Sequence, residues 1–278
     1  MTAHGDKASL FIPPEARYLN GTIADCRNAF VADAPHFDLI VLDPPWPNRS
    51  ARRRRQGRKR KSSVLDDRPS ADRGYDTASD MDALRETLEQ IPLGSKLADG
   101  AIVAVWVTNK PSCEALLTDP RCGVFRAWGV ELAATWTWLK VTAKGQPIVS
   151  VESHWRRPWE RLLLARRPGA NKDGNKAGAK ALPAHRVIVG VPDVHSRKPH
   201  LRPLLAPFLA PAVSSSESHT SVERPIRGLE VFARNLTAGW WSWGNEVLLF
   251  QHPSWWSVDE KDEGVETDDS VQVQGPMS

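Results

Sequence analysis

Three cysteines in 278 residues, Cys26, Cys113 and Cys122, are too few and too scattered for a disulfide framework. None forms a C-x-x-C pair, so a zinc site is not expected either. No stretch approaches the roughly 18 apolar residues that a membrane span needs. The segment from Met1 to Lys7 is polar and has no apolar core, which argues against a secretory signal. Together these absences point to an intracellular, reducing compartment. A large net charge is missing as well, the formal total being +4. That total hides two opposed blocks. From Arg52 to Lys61 eight of ten residues are Arg or Lys, and from Asp259 to Asp269 seven are acidic against the single Lys261. Charge of that local density is a footprint for a polyanion.

What remains is ordinary for a soluble globular chain, with 41% hydrophobic and 25% charged residues. The length suits one large α/β domain or two small ones. Phe37 to Leu42 is a run apolar at every position but Asp38 and ends at Asp43, the pattern by which a buried parallel strand delivers a carboxylate to the rim of an open sheet. Gly21 to Ala24, Ala101 to Val107, Glu131 to Val141, Leu162 to Ala165, Val187 to Val191 and Gly228 to Ala233 are further strand candidates. A helix is expected from Ser79, with Asp82 at capping-box-like spacing, through Leu84, Leu88 and Ile91. Pro111 opens another through Ala115 and Leu117. Leu201 to Leu209 predicts a short or kinked helix because of Pro203 and Pro207, and a last helix is expected through Leu248 and Phe250.

Alternating strands and helices predict an α/β fold with a mostly parallel sheet covered on both faces. Residues 1–17 read as a flexible N-terminus, 18–256 as the folded domain and 257–278 as a disordered acidic tail. Within the domain, 47–74 and 166–181 read as basic loops, 213–221 as a serine-rich insertion, and Gly239 to Glu246 as a loop.

Asp43-Pro44-Pro45-Trp46 is the tetrapeptide that carries chemistry. An exocyclic amine on adenine is a poor nucleophile because its lone pair is delocalised into the ring. A carboxylate and a backbone carbonyl, both accepting from the NH2 group, hold it in a geometry that aims electron density at a methyl donor. Two successive prolines fix φ and remove N–H donors, leaving a rigid loop of carbonyl acceptors. Such a loop works by orienting reactants. The aromatic that follows can wall in a base withdrawn from its helix. The plainer reading is a stiff turn after a strand, and the apolar strand ending at Asp43 favours the chemical one.

The signature resembles that of the eukaryotic mRNA-type adenine-N6 methyltransferase family, and within it the methyltransferase-like-four branch. Asp25-Cys26-Arg27, His195-Ser196-Arg197-Lys198-Pro199 and the run from Glu230 to Gln251 agree with it in order. The resemblance implies a Rossmann-like, S-adenosylmethionine-dependent methyltransferase fold in which the catalytic motif precedes the cofactor-binding segment. It implies Asp25 and Cys26 near the cofactor's adenine, and Asp43 receiving both its ammonium and the substrate amine. Lys198 would pair with the cofactor's carboxylate. Arg234, Asn235, Asn245 and Glu246 would surround the ribose, with Glu230 orienting Arg234. Glu160 stands where the family has a residue facing the target base. Without the resemblance, Lys198 is an anion contact or simply a solvated lysine, Gly244 allows close backbone approach, and Trp240, Trp241 and Trp243 stack on a base or pack the core. The family's mRNA-modifying subunits have a His-Asn pair where this chain has Leu236-Thr237.

Arg52, Arg53, Arg54, Arg55, Arg58, Lys59, Arg60 and Lys61 read as phosphate contacts beside the catalytic loop, as a nuclear localisation signal, or as a solvated loop. The expectation is a nuclear adenine-N6 methyltransferase acting on small nuclear RNA or DNA, without metal or membrane. The alternative is a catalytically silent subunit of the same fold that binds RNA or DNA; degenerate subunits lose the Asp43–Trp46 signature, which this chain keeps whole.

Overall fold

The computed structural model describes residues 9–47, 81–168, 180–193, 197–209 and 225–256. The basic run 52–61, the Ser79 cap, the serine-rich insertion 213–221, the tail 257–278 and most of the expected loops 47–74 and 166–181 lie outside the described residues, as do His195 and Ser196.

Eight strands form one sheet: β1 (Arg17–Asn20), β2 (Phe37–Leu42), β3 (Leu97–Val107), β4 (Glu131–Lys140), β5 (Trp159–Arg166), β6 (His185–Gly190), β7 (Gly228–Val231) and β8 (Trp241–Gly244). Their order is β1-β8-β7-β2-β3-β5-β4-β6. Only β5 runs antiparallel to its neighbours β3 and β4; every other pairing is parallel. The fold is thus the mostly parallel α/β sheet that the alternating pattern predicts.

Among the described residues five helices accompany it: α1 (Ile23–Asp33), α2 (Met81–Glu89), α3 (Pro111–Thr118), α4 (Val124–Ala127) and α5 (Arg202–Leu205), the last running into a 3-10 turn over Ala206–Phe208. The apolar runs of β2 and β3 are buried on both faces, so their side chains feed two cores. Phe37, Ile40 and Leu42 join Phe30 of α1, Leu84 and Leu88 of α2, Leu116 of α3 and Phe125 of α4 on one side. Leu39 and Val41 meet Trp106, Trp136, Trp138, Leu205, Phe208 and Trp240 on the other. Trp136 and Trp138 share a face of β4, as their period-two spacing predicts.

Several expectations need correction. Gly21 to Ala24 is no strand; helix α1 starts there, because the Thr22 hydroxyl accepts from the Asp25 N–H at 3.2 Å and caps its first turn. Glycine-flanked Trp241–Gly244 is strand β8 and no loop, since its backbone finds partners in both β7 and β1. Leu248 and Phe250 lie in turns, without the expected helix. Helix α2 stops at Glu89, before Ile91. Arg166, placed in a basic loop, ends strand β5 with 2% of its surface exposed, its guanidinium donating to the Phe208 carbonyl. No described helix is long and apolar enough to cross a membrane.

Candidate active site

The central strand β2 pairs with β7 on one side and β3 on the other, with Leu42 beside Val231 and Val105. The chain therefore turns outward in opposite directions at the carboxyl ends of β2 and its neighbours, where open α/β sheets bind ligands. Asp43 sits at that end. It opens on a cavity of about 550 Å³, within the usual range for small-molecule sites, whose lining includes Val41, Trp106, Lys198, Glu230, Phe232, Arg234, Asn235 and Trp240.

Charged side chains from five separate segments, Asp43 included, form one network at this mouth. Lys198 Nζ lies 3.0 Å from Asp43 Oδ2 and 3.2 Å from Glu160 Oε2. Lys140 closes on the other oxygen of Glu160. Arg234 Nη2 is 4.0 Å from Asp43 Oδ2. Burial acts to lower the Lys198 pKa, but Asp43 and Glu160 outweigh it and hold the ammonium above the usual lysine value. Burial pushes the Glu160 carboxyl up, and Lys198 and Lys140 overcome that, leaving it below the ordinary carboxylate range.

Glu230 behaves differently. Its carboxyl is pushed up to about 7 by burial and then by the Asp43 carboxylate, against the pull of Arg234, Arg197 and Lys198. It is paired in register with Val41, so it points to the same face as Asp43 two residues on. The His200 ring lies tilted against Trp240 with centroids 5.2 Å apart, and burial and then Arg202 hold its imidazole below the usual histidine value.

Immediately after β7, Phe232 adopts a φ of 60°, rare for a bulky residue, and this turn carries Arg234 and Asn235 back over the cavity. Gln251 braces that loop, its side-chain oxygen accepting from the Leu236 N–H at 2.9 Å. The loop after Asp43 is tied down twice. The Pro44 carbonyl accepts from the Trp46 N–H at 2.8 Å, and the Trp46 indole donates to the Trp106 carbonyl at 2.8 Å.

The cavity thus gathers Asp43, Lys198, Glu230, Arg234 and Asn235, with Glu160 joined through Lys198. It does not gather the others. Trp46 is 6% exposed and packs into the helix-covered core, so in this structure its ring walls in no base. Asp25 and Cys26 stand in the first turn of α1, Gly244 ends β8, and Asn245 and Glu246 follow it; all share the carboxyl edge of the sheet without lining this cavity. Trp243 is a packing residue, 0% exposed, and Trp240, though it lines the cavity, is 2% exposed and belongs to the core. Sequence reasoning missed Trp106, His200, Phe232 and Lys140. Only the charge of Lys140 at the end of an alternating strand offered a signal.

Trp106 and Trp240 line the cavity with other ring atoms, while their indole N–H groups are buried without a partner among the described residues. Among the same residues no cluster of His, Cys, Asp and Glu is arranged to hold a metal ion.

A family profile described as MT-A70 matches residues 37–246, from the start of β2 to the end of the Asn245-Glu246 pair. The chain is 48% identical over 248 residues to the N6-methyladenosine RNA methyltransferase MTA1 of Cryphonectria parasitica, covering 89% of this chain and 62% of that protein. It is 31% identical over 248 residues to the human N(6)-adenine-specific methyltransferase METTL4, covering 87% of this chain and 43% of that protein. A DNA N6-methyl methyltransferase of Caenorhabditis elegans is 30% identical over 250 residues, covering 89% of this chain and 56% of that protein. The chain therefore spans between 43% and 62% of the length of these relatives. The profile covers most of the chain, including both the Asp43–Trp46 loop and the Glu230–Glu246 segment, and the chain belongs to the MT-A70 family.

Proposed function

We propose that this protein transfers a methyl group from S-adenosylmethionine to the N6 amine of adenine in nucleic acid. The observation that carries the reading is Asp43 at the carboxyl end of the central strand, facing a cavity in which Lys198 and Arg234 supply positive charge. The names of the relatives, RNA methyltransferase in one case and DNA methyltransferase in another, support a nucleic-acid substrate and leave both polymers in play.

The residues fit the cofactor. An amino-acid zwitterion needs a cation for its carboxylate and an anion for its ammonium, and Lys198 and Asp43 are such a pair on one wall. Arg234 and Asn235 on the braced loop offer donors and an acceptor to hydroxyl groups. Bound there, the cofactor supplies an electrophilic methyl group on a sulfonium centre.

The chain's own work is positioning. Asp43 accepts from one N–H of the target amine and the backbone of the proline loop from the other, which holds the nitrogen in one orientation. Pro44 and Pro45 fix the loop's φ angles, and the Trp46 anchor on β3 keeps it from moving as a body. Glu160 stays ionised between its two lysines and presents a fixed acceptor beside the target base. The Asp25, Cys26, Asn245 and Glu246 assignments belong to this proposal too, from their place along the same edge.

The deciding experiment is methyl transfer from labelled cofactor to matched RNA and DNA oligonucleotides, run beside Asp43→Ala. Transfer by the wild type and none by the variant is expected. Equal transfer by both would remove Asp43 from the chemistry, and cofactor binding without transfer would favour a silent binding subunit.

A further inference from the structure

Lys140 touches neither proposed reactant, yet it is built into the site. It ends β4, where the antiparallel pairing sets Trp138 opposite Glu160 and the Lys140 N–H on the Pro158 carbonyl at 2.7 Å. That register puts Lys140 diagonal to Glu160 on one face, within reach of a long side chain. Its ammonium pairs with Glu160 and lies 4.8 Å from the centre of the Trp138 ring. The ring is itself fixed, 1% exposed and edge-on to Trp106 at 5.8 Å. This lysine is held, where a surface lysine would wander.

The geometry points to Lys140 as a positioning residue, the standing counterion that keeps Glu160 charged when Lys198 turns to the cofactor. The claim rests on the proposed function. Lys198 serves two carboxylates at once, Asp43 at 3.0 Å and Glu160 at 3.2 Å. A cofactor carboxylate that recruits Lys198 weakens its hold on both. Asp43 then keeps Arg234 and gains the cofactor's ammonium. Glu160 gains nothing from the ligand. Its neighbour Arg161 is turned to Glu114 at 2.6 Å, and Arg157 lies over Trp159. From every element packed around it, Lys140 of β4 is the one cation the described residues leave in contact with Glu160 once Lys198 is drawn away. A half-buried carboxylate without a counterion takes up a proton, and a protonated Glu160 presents a donor where an acceptor is needed.

Two arms test this. Without cofactor, Lys198→Met imitates the withdrawn lysine, and Glu160 is titrated by NMR of the labelled carboxyl carbons. Glu160 is expected to remain ionised at neutral pH in Lys198→Met, and to titrate about one pH unit or more higher when Lys140→Met is added. With cofactor, calorimetry in two buffers of different ionisation enthalpy counts protons. Lys140→Met is expected to take up more proton on binding than wild type, the excess vanishing with Glu160→Gln and being absent in Lys140→Arg. The acid limb of its kcat profile moves to higher pH to the same extent. Unchanged titration of Glu160 in the double variant overturns the proposal. Wild type failing to bind cofactor would instead sink the proposed function, while the titration arm would still decide the role of Lys140.

Discussion

Lys198 Nζ sits 3.0 Å from the Asp43 carboxylate, bridging residues 155 positions apart in sequence and occupying the group proposed to receive the target amine. The site is therefore electrostatically closed on itself before any ligand arrives. A zwitterion can open it, because it replaces one internal pair with two external ones. Replacing Lys198 with Met removes the partner for the ligand carboxylate. The expected result is cofactor binding weakened roughly 10- to 100-fold, the equivalent of one charge-assisted hydrogen bond. Calorimetric titration of the variant checks this, and affinity within about twofold of wild type would remove Lys198 from the cofactor site.

Glu230 makes stability fall as pH rises. Its folded pKa of about 7 stands above the ordinary glutamate value of 4.5. The folded state thus holds the proton more tightly than the unfolded chain. The associated stability is fully present below about pH 4.5 and is lost as pH climbs through 7. The full effect is at most about 3 kcal/mol by linkage, since every tenfold difference in proton affinity between the two states corresponds to about 1.4 kcal/mol. Glu230→Gln cannot ionise. Urea unfolding at about pH 5 and about pH 8.5 should show a smaller decline for this variant than for wild type. An equal decline in both proteins would mean that Glu230 is not the group responsible.

How much of this was legible beforehand follows from where each signal lies. Phe37 to Leu42 with its terminal Asp43 was readable because burial on both faces demands a mostly apolar run, here broken only by Asp38, which Arg227 pairs. Lys198, Glu230, Arg234 and Asn235 were found through short motifs, and the fold brings them to one cavity. Helix α1 looks like a strand at its start, although Thr22 and Asp25 already carry the spacing of an N-cap. Strand β8 was hidden by its flanking glycines and by tryptophans that suit a base-binding loop as well as a core. Trp46 looked like a base-stacking ring, but the buried Trp106 carbonyl needs a donor and takes its indole. Lys140 and Trp106 were beyond local reading, since the relation of Lys140 to Glu160 depends on the antiparallel β5 entering beside β4, and that of Trp106 to Asp43 on the pairing of β3 with β2.

Trp46 offers a test that separates anchoring from base contact. Trp46→Phe keeps the ring and loses the 2.8 Å bond to the Trp106 carbonyl, leaving a buried acceptor unpaired. A stability loss of about 1–3 kcal/mol is expected. If the residue acts as an anchor, kcat should fall while KM for the oligonucleotide moves little, because the loop is misplaced and no substrate contact is removed. A rise in KM with kcat unchanged would instead place the ring against the substrate.

The basic run from Arg52 to Lys61 lies outside the described residues, yet its place in the chain makes a quantitative prediction. It follows the Asp43–Trp46 loop within a few residues, so phosphates flanking an adenine held at Asp43 pass near its point of attachment. Each phosphate that these side chains neutralise adds about 0.7 to the salt slope of binding for a single strand and about 0.9 for a duplex. Replacing the eight Arg and Lys residues with Gln should weaken oligonucleotide binding at low salt and flatten the dependence of log K on log salt. Cofactor affinity should be untouched, because the cations that line its cavity are Lys198, Arg234 and Arg197. A Gln variant with the wild-type slope would show that the run does not meet phosphate, leaving a localisation signal as the reading to test by the distribution of a tagged chain.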